Sequence, residues 1–125
     1  MSLEIITVAL VFAAIGVAGL FAPARVYATF GVPVETADGR NEIRSVYGGM
    51  CAALAVLLFA APVLGSFANG VLLTTLVLFL GMAAGRLIAI AVERPGGWPI
   101  VFLVIELVGA VLVYRALDVS TLSWN

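Results

Sequence analysis

An all-α integral membrane fold, a bundle of four transmembrane helices with short loops, is what this sequence predicts. Three observations carry that prediction. Hydrophobic residues fill 64 % of the 125 positions, and the mean hydropathy is +1.24. Charged residues fill only 10 %, against about a quarter in soluble domains. Four apolar runs also reach the ~20 residues that a helix needs to cross the hydrocarbon core. With those runs placed, nothing is left over for a soluble domain, and residues 1–125 read as one unit.

The first run extends from about Glu4 to Ala22. No basic residue precedes it, and it is longer than the apolar core of a signal peptide. It is therefore expected to be a retained helix, although Ala22-Pro23-Ala24 imitates a cleavage site. The connection Pro23–Arg40 is long enough for a brief interfacial helix in PARVYATFGVP, between Pro23 and Pro33. The second run extends from about Asn41 to Val63, with Asn41 as the expected N-cap and Glu42 complementing the helix dipole in the first turn. The third runs from about Phe67 to Val92, and the fourth from about Trp98 to Arg115, with the break at Pro95-Gly96-Gly97 between them. Tyr27, Trp98, Tyr114 and Trp124 suit the two membrane–water interfaces.

Arginine placement sets the expected orientation. Arg25, Arg40 and Arg44 cluster around the first connection and Arg94 lies in the third, whereas only Arg115 falls on the other side. By the positive-inside rule those two connections face the cytoplasm and both termini are extracytoplasmic.

Composition also excludes functions. Six basic against seven acidic residues leave a net charge of −1, which argues against nucleic acid as a partner. Lys and His are absent, so the usual imidazole acid/base and the commonest metal ligand are missing. Cys51 is alone and reads as a small packing residue. No nucleophile dyad, metal cluster or phosphate loop is recognisable, so no catalytic residue, metal or cofactor is expected and an enzyme is the least supported class.

One constellation remains. Arg86 lies ten residues before Gly96 and Glu106 ten after it. Folding at Pro95-Gly96-Gly97 brings these two opposite charges together inside the membrane, where a lone charge costs several kcal/mol. The second helix starts on the same side, and Arg44, Tyr47 and Cys51 recur along it at i, i+3 and i+7. Gly81 and Gly85 form a GxxxG pattern before Arg86, Gly48 and Gly49 follow Tyr47, and Gly109 follows Glu106. Such residues let helices approach closely. Arg44, Tyr47, Arg86 and Glu106 are thus the candidate polar cluster, supported by Asn41, Glu42 and the glycines.

FAPARVYATFGV, NEIRSVYGG, GRLIAIAVERPGGWP and the Glu106 helix together resemble a family of small bacterial membrane proteins catalogued as domain of unknown function 4345. The resemblance spans about Leu3 to Tyr114, with Arg-x-x-Tyr-Gly-Gly at Arg44–Gly49 and Gly85-Arg86 as its most specific elements. It implies a four-helix protein of the bacterial inner membrane and brings no activity with it.

Two arginines facing one deep carboxylate leave a positive charge unmatched, which favours an anionic ligand or lipid as the missing partner. A module binding an anionic amphipath is the leading expectation, with membrane lipids as partners. The alternatives are a purely structural Arg86–Glu106 pair, an accessory subunit of a larger membrane complex or homo-oligomer, and a proton-coupled transporter working through Glu106.

Overall fold

The computed structural model describes residues 1–118 and 120; Trp124, expected at an interface, lies outside the described residues. Four helices are long and apolar enough to cross a membrane. Helix α1 spans Leu3–Phe21 and is capped by Ser2, whose hydroxyl accepts from the Ile5 amide. The segment expected to form a brief helix is helix α2, Pro23–Ala28, with proline at its first position, where the missing N–H costs nothing. Gly31 ends the following turn at φ +74°, a conformation that glycine adopts without a Cβ clash.

Helix α3 covers Ala37–Val63. It starts one turn earlier than the sequence suggests. Thr36, not Asn41, is the N-cap: its backbone is extended and its hydroxyl accepts from the Gly39 amide at 3.0 Å. Asp38 accordingly occupies the first turn, and Asn41 and Glu42 lie exposed one turn further on. Within α3, Arg44–Met50 winds as a π-helix, and Ala61–Val63 tightens to a 3-10 turn at Pro62. Gly65, at φ +55°, then reverses the chain into α4, Phe67–Val92. Helix α5, Gly97–Ala116, follows the break at Pro95-Gly96.

The helices lie side by side in the order α3, α1, α5, α4. Helix α1 runs along α3 and also against α5, while α4 pairs along α5. Helices α3 and α4 meet through the Cys51–Val63 part of α3, next to their short loop, and the π-helical part stands apart from α4. At the end that carries Pro95, α3 and α4 pack more loosely than they do beside their loop.

Two sets of glycines make these contacts. A Cβ on Gly16 would lie 2.8 Å from the Ala52 nitrogen, and one on Gly19 would lie 2.5 Å from the Gly48 nitrogen. The α1–α3 seam is therefore backbone against backbone. Gly109 seats the ring of Phe79, which also packs on Phe12 at 5.3 Å between centroids. The expected GxxxG contact at Gly81 and Gly85 is not made: both are exposed, with nothing near their missing Cβ atoms. The sequence spacing alone did not distinguish an inward from an outward face, because the helices are apolar all round.

Val8, Ala9, Phe12, Ala55, Leu58 and Val113 form the core with Cys51, which is a free, buried packing residue. Leu10, Val17, Val56, Val77, Val104 and Val111 are exposed on the outside. Water does not favour so much contiguous apolar surface, but lipid tails do. At the end opposite Pro95, Glu4 approaches Arg115 at 4.0 Å, and Asn69 and Asp118 exchange two hydrogen bonds at 3.2 and 3.3 Å. Both termini of the bundle are thereby tied to one end.

The glycine assignments are testable by thermal unfolding in detergent. Gly19→Ala must push two backbones apart and is expected to cost about 1–3 kcal/mol. Gly85→Ala meets open space and is expected to stay within about 0.5 kcal/mol of the parent.

Candidate functional site

Antiparallel packing determines how the central pair meets. Arg86 sits about 9 Å by helical rise from the Val92 end of α4, and Glu106 about 14 Å from the Gly97 start of α5. Side chains lean toward the N-terminus of their own helix. Arg86 therefore leans deeper and Glu106 leans back toward Pro95, so the two converge from different depths. Arg86 Nε donates to both carboxylate oxygens of Glu106, at 2.8 Å each.

Exposure of the pair is uneven. Glu106 is 4 % exposed, whereas the Arg86 side chain retains 27 % exposure. The carboxylate is buried and answered by a cation, as a charge among apolar helices requires. The guanidinium has donors to spare. Its two terminal amino groups form no hydrogen bond with the described residues.

Aromatic rings complete the surroundings. The guanidinium carbon of Arg86 stands 5.3 Å from the centre of the Phe102 ring, a cation–π contact. Phe102 packs on Trp98 at 6.3 Å and on Phe30 at 5.4 Å. Phe30 in turn touches Tyr27 edge-on at 6.4 Å, and Tyr27 touches Tyr47 at 5.6 Å. A continuous run of rings thus links the turn after α2, the start of α5 and the π-helical part of α3. It lies on the Pro95 side of the salt bridge and lowers the dielectric around it, which strengthens the attraction.

Tyr47 is half-buried on α3, with its ring edge-on to Tyr27. Arg44 goes elsewhere. Its Nε donates to the Leu20 carbonyl at 3.1 Å, and the side chain lies exposed at the end of α1. The structure therefore brings Arg86 and Glu106 into direct contact, links Tyr47 to them only through the run of rings, and sets Arg44 apart. Wider winding in the π-helix separates residues that a regular helix would stack at i and i+3. Gly48 is buried against Leu20, Gly49 is exposed, and Asn41 and Glu42 stay on the outer surface. Glu42 helps line a surface groove of about 490 Å³ with Tyr27, Pro33 and Thr36.

Sequence reasoning missed Phe30 and Phe102. A signal existed for Phe102, because Trp98, Phe102 and Glu106 recur at i, i+4 and i+8 on one face of α5. Phe30 reaches it through a tertiary contact with no sequence signature. Among the described residues, no group of three or more His, Cys, Asp or Glu side chains comes together as a metal site.

A family model described as "Domain of unknown function (DUF4345)" matches residues 2–117. Neither the curated proteins nor the solved structures contain a match to this chain.

The salt bridge makes a prediction about coupling. Arg86→Met leaves a buried carboxylate without its cation, and Glu106→Gln leaves the cation without its carboxylate. Each is expected to cost about 3 kcal/mol of unfolding free energy, with the double variant losing clearly less than the sum. Thermal unfolding of all four proteins in one detergent checks this.

Proposed function

The chain belongs to the domain of unknown function 4345 family, and we propose that it is a small multi-pass membrane protein that binds an anionic amphipathic molecule at Arg86. One observation carries the reading. Arg86 has its Nε held by both oxygens of Glu106 and its face on Phe102, while its terminal amino groups have no hydrogen-bond partner among the described residues. A guanidinium fixed on one edge and free on the other is arranged to receive a carboxylate or phosphate.

The looser packing of α3 against α4 at the Pro95 end would give a membrane-borne molecule a lateral way in. Its anionic group would meet Arg86, Tyr47 would add a hydroxyl from α3, and its apolar chain would lie along the exposed aliphatic faces. Glu106 acts here as a positioning residue, holding the guanidinium without contacting the ligand. The Arg44–Met50 π-helix supports the reading, since π segments recur at functional sites. Arg44 is not part of this site. In this proposal the Pro95 end faces the cytoplasm of a bacterial inner membrane, following the arginine bias.

A second reading has its own observation. Gly81 and Gly85 form an exposed small-residue face on α4, which suits lateral packing against another helix. That favours a subunit of a larger membrane complex or a homo-oligomer, and crosslinking in native membranes from a cysteine placed at position 81 tests it.

The binding proposal is tested by titrating a long-chain fatty acid or dodecyl phosphate into protein held in a neutral detergent and following its melting temperature. The parent is expected to be stabilised and Arg86→Met not. Tyr47→Phe should weaken the apparent affinity about fivefold, one hydrogen bond to a charged group. Equal stabilisation of the parent and Arg86→Met would contradict the reading.

A further inference from the structure

The arginine that leaves the Arg86 cluster gathers with two others. Arg25 from α2 and Arg40 and Arg44 from α3 line one groove of about 420 Å³ with Phe21 and Pro23. No acidic residue lines it. Among the described residues the salt bridges join Arg86 to Glu106 and Arg115 to Glu4, so no carboxylate lies within 4.0 Å of these three cations.

Neutral backbone oxygens hold two of them instead. Arg40 Nη1 donates to the Glu35 carbonyl at 3.0 Å, and Arg44 Nε donates to the Leu20 carbonyl at 3.1 Å. Carbonyls orient a guanidinium without cancelling its charge. Each of these arginines keeps further N–H donors for another acceptor.

Position decides the kind of acceptor. The groove lies where α1 ends and α3 begins, at the boundary of two apolar runs. Phe21, at its rim, is 81 % exposed. Three cations beside an exposed ring at that level match a phosphoryl group with an apolar chain attached. We propose that Arg25, Arg40 and Arg44 form a second binding site, separate from Arg86, for the phosphoryl headgroup of an anionic phospholipid at the membrane surface.

The alternative to a built site is diffuse attraction between basic residues and an anionic surface, which follows charge alone. Arginine presents a planar fork to phosphate and lysine presents a point charge, so exchanging one for the other separates the two. The parent, a triple Arg→Ala variant and a triple Arg→Lys variant at positions 25, 40 and 44 are placed in nanodiscs. The discs contain phosphatidylcholine with a minor share of phosphatidylglycerol, and retained lipid is counted by native mass spectrometry. A parallel arm titrates inorganic phosphate into discs of phosphatidylcholine alone.

Retention of phosphatidylglycerol is expected to fall about a hundredfold in the Ala variant, near fivefold per arginine. It is expected to fall at least fivefold in the Lys variant. Binding of inorganic phosphate that is lost in both variants would support the same site with a free phosphate as its source. Retention unchanged in the Ala variant, or kept at the parental level in the Lys variant, would overturn the proposal. All three proteins keep Arg86 and Glu106, so they still bind dodecyl phosphate at Arg86 if that site exists, and the two readings fail separately.

Discussion

Glu106 is a carboxylate placed among apolar helices, and it stays there because Arg86 answers it from the neighbouring helix. Nearly everything at the Pro95 end depends on this contact. It sets the register of α4 against α5, since a shift of one residue on either helix would carry one charge into lipid. It places Phe102, one turn before Glu106, over the guanidinium. Through Phe102 it also fixes where Phe30 docks and hence how the turn after α2 lies across the bundle.

The glycine-mediated helix contacts are made without charge. Gly16 and Gly19 let α1 lie directly against the backbone of α3, and Gly109 accommodates Phe79. These contacts hold α1 against α3 and α5 against α4. The π-helix at Arg44–Met50 takes part in both kinds of contact, with Gly48 on the seam and Tyr47 facing the aromatic run.

Much of this was legible in the sequence. The four spans, the brief helix at Pro23 and the Arg86–Glu106 encounter follow from apolar run length, proline placement and the cost of a bare charge in lipid. The rest was not legible, for definite physical reasons. Thr36 competes with Asn41 as a cap, and residue preference does not rank them. GxxxG at Gly81 and Gly85 marks a face without saying whether a partner covers it. A π-turn changes which residues align along α3, and that removed Arg44 from the cluster. Its departure also moves the unmatched positive charge from the interior to the groove it shares with Arg25 and Arg40.

Arg86 is clamped through Nε and open through its terminal nitrogens among the described residues. Nitrogen-15 NMR of the arginine side chains, with Arg86 assigned by comparison with an Arg86→Lys variant, reads both edges at once. On adding dodecyl phosphate, the terminal nitrogens of Arg86 should shift and exchange more slowly with water while the Nε–H remains bonded to Glu106. Terminal nitrogens that do not respond at saturating dodecyl phosphate, or an Nε–H that leaves Glu106, would contradict the account.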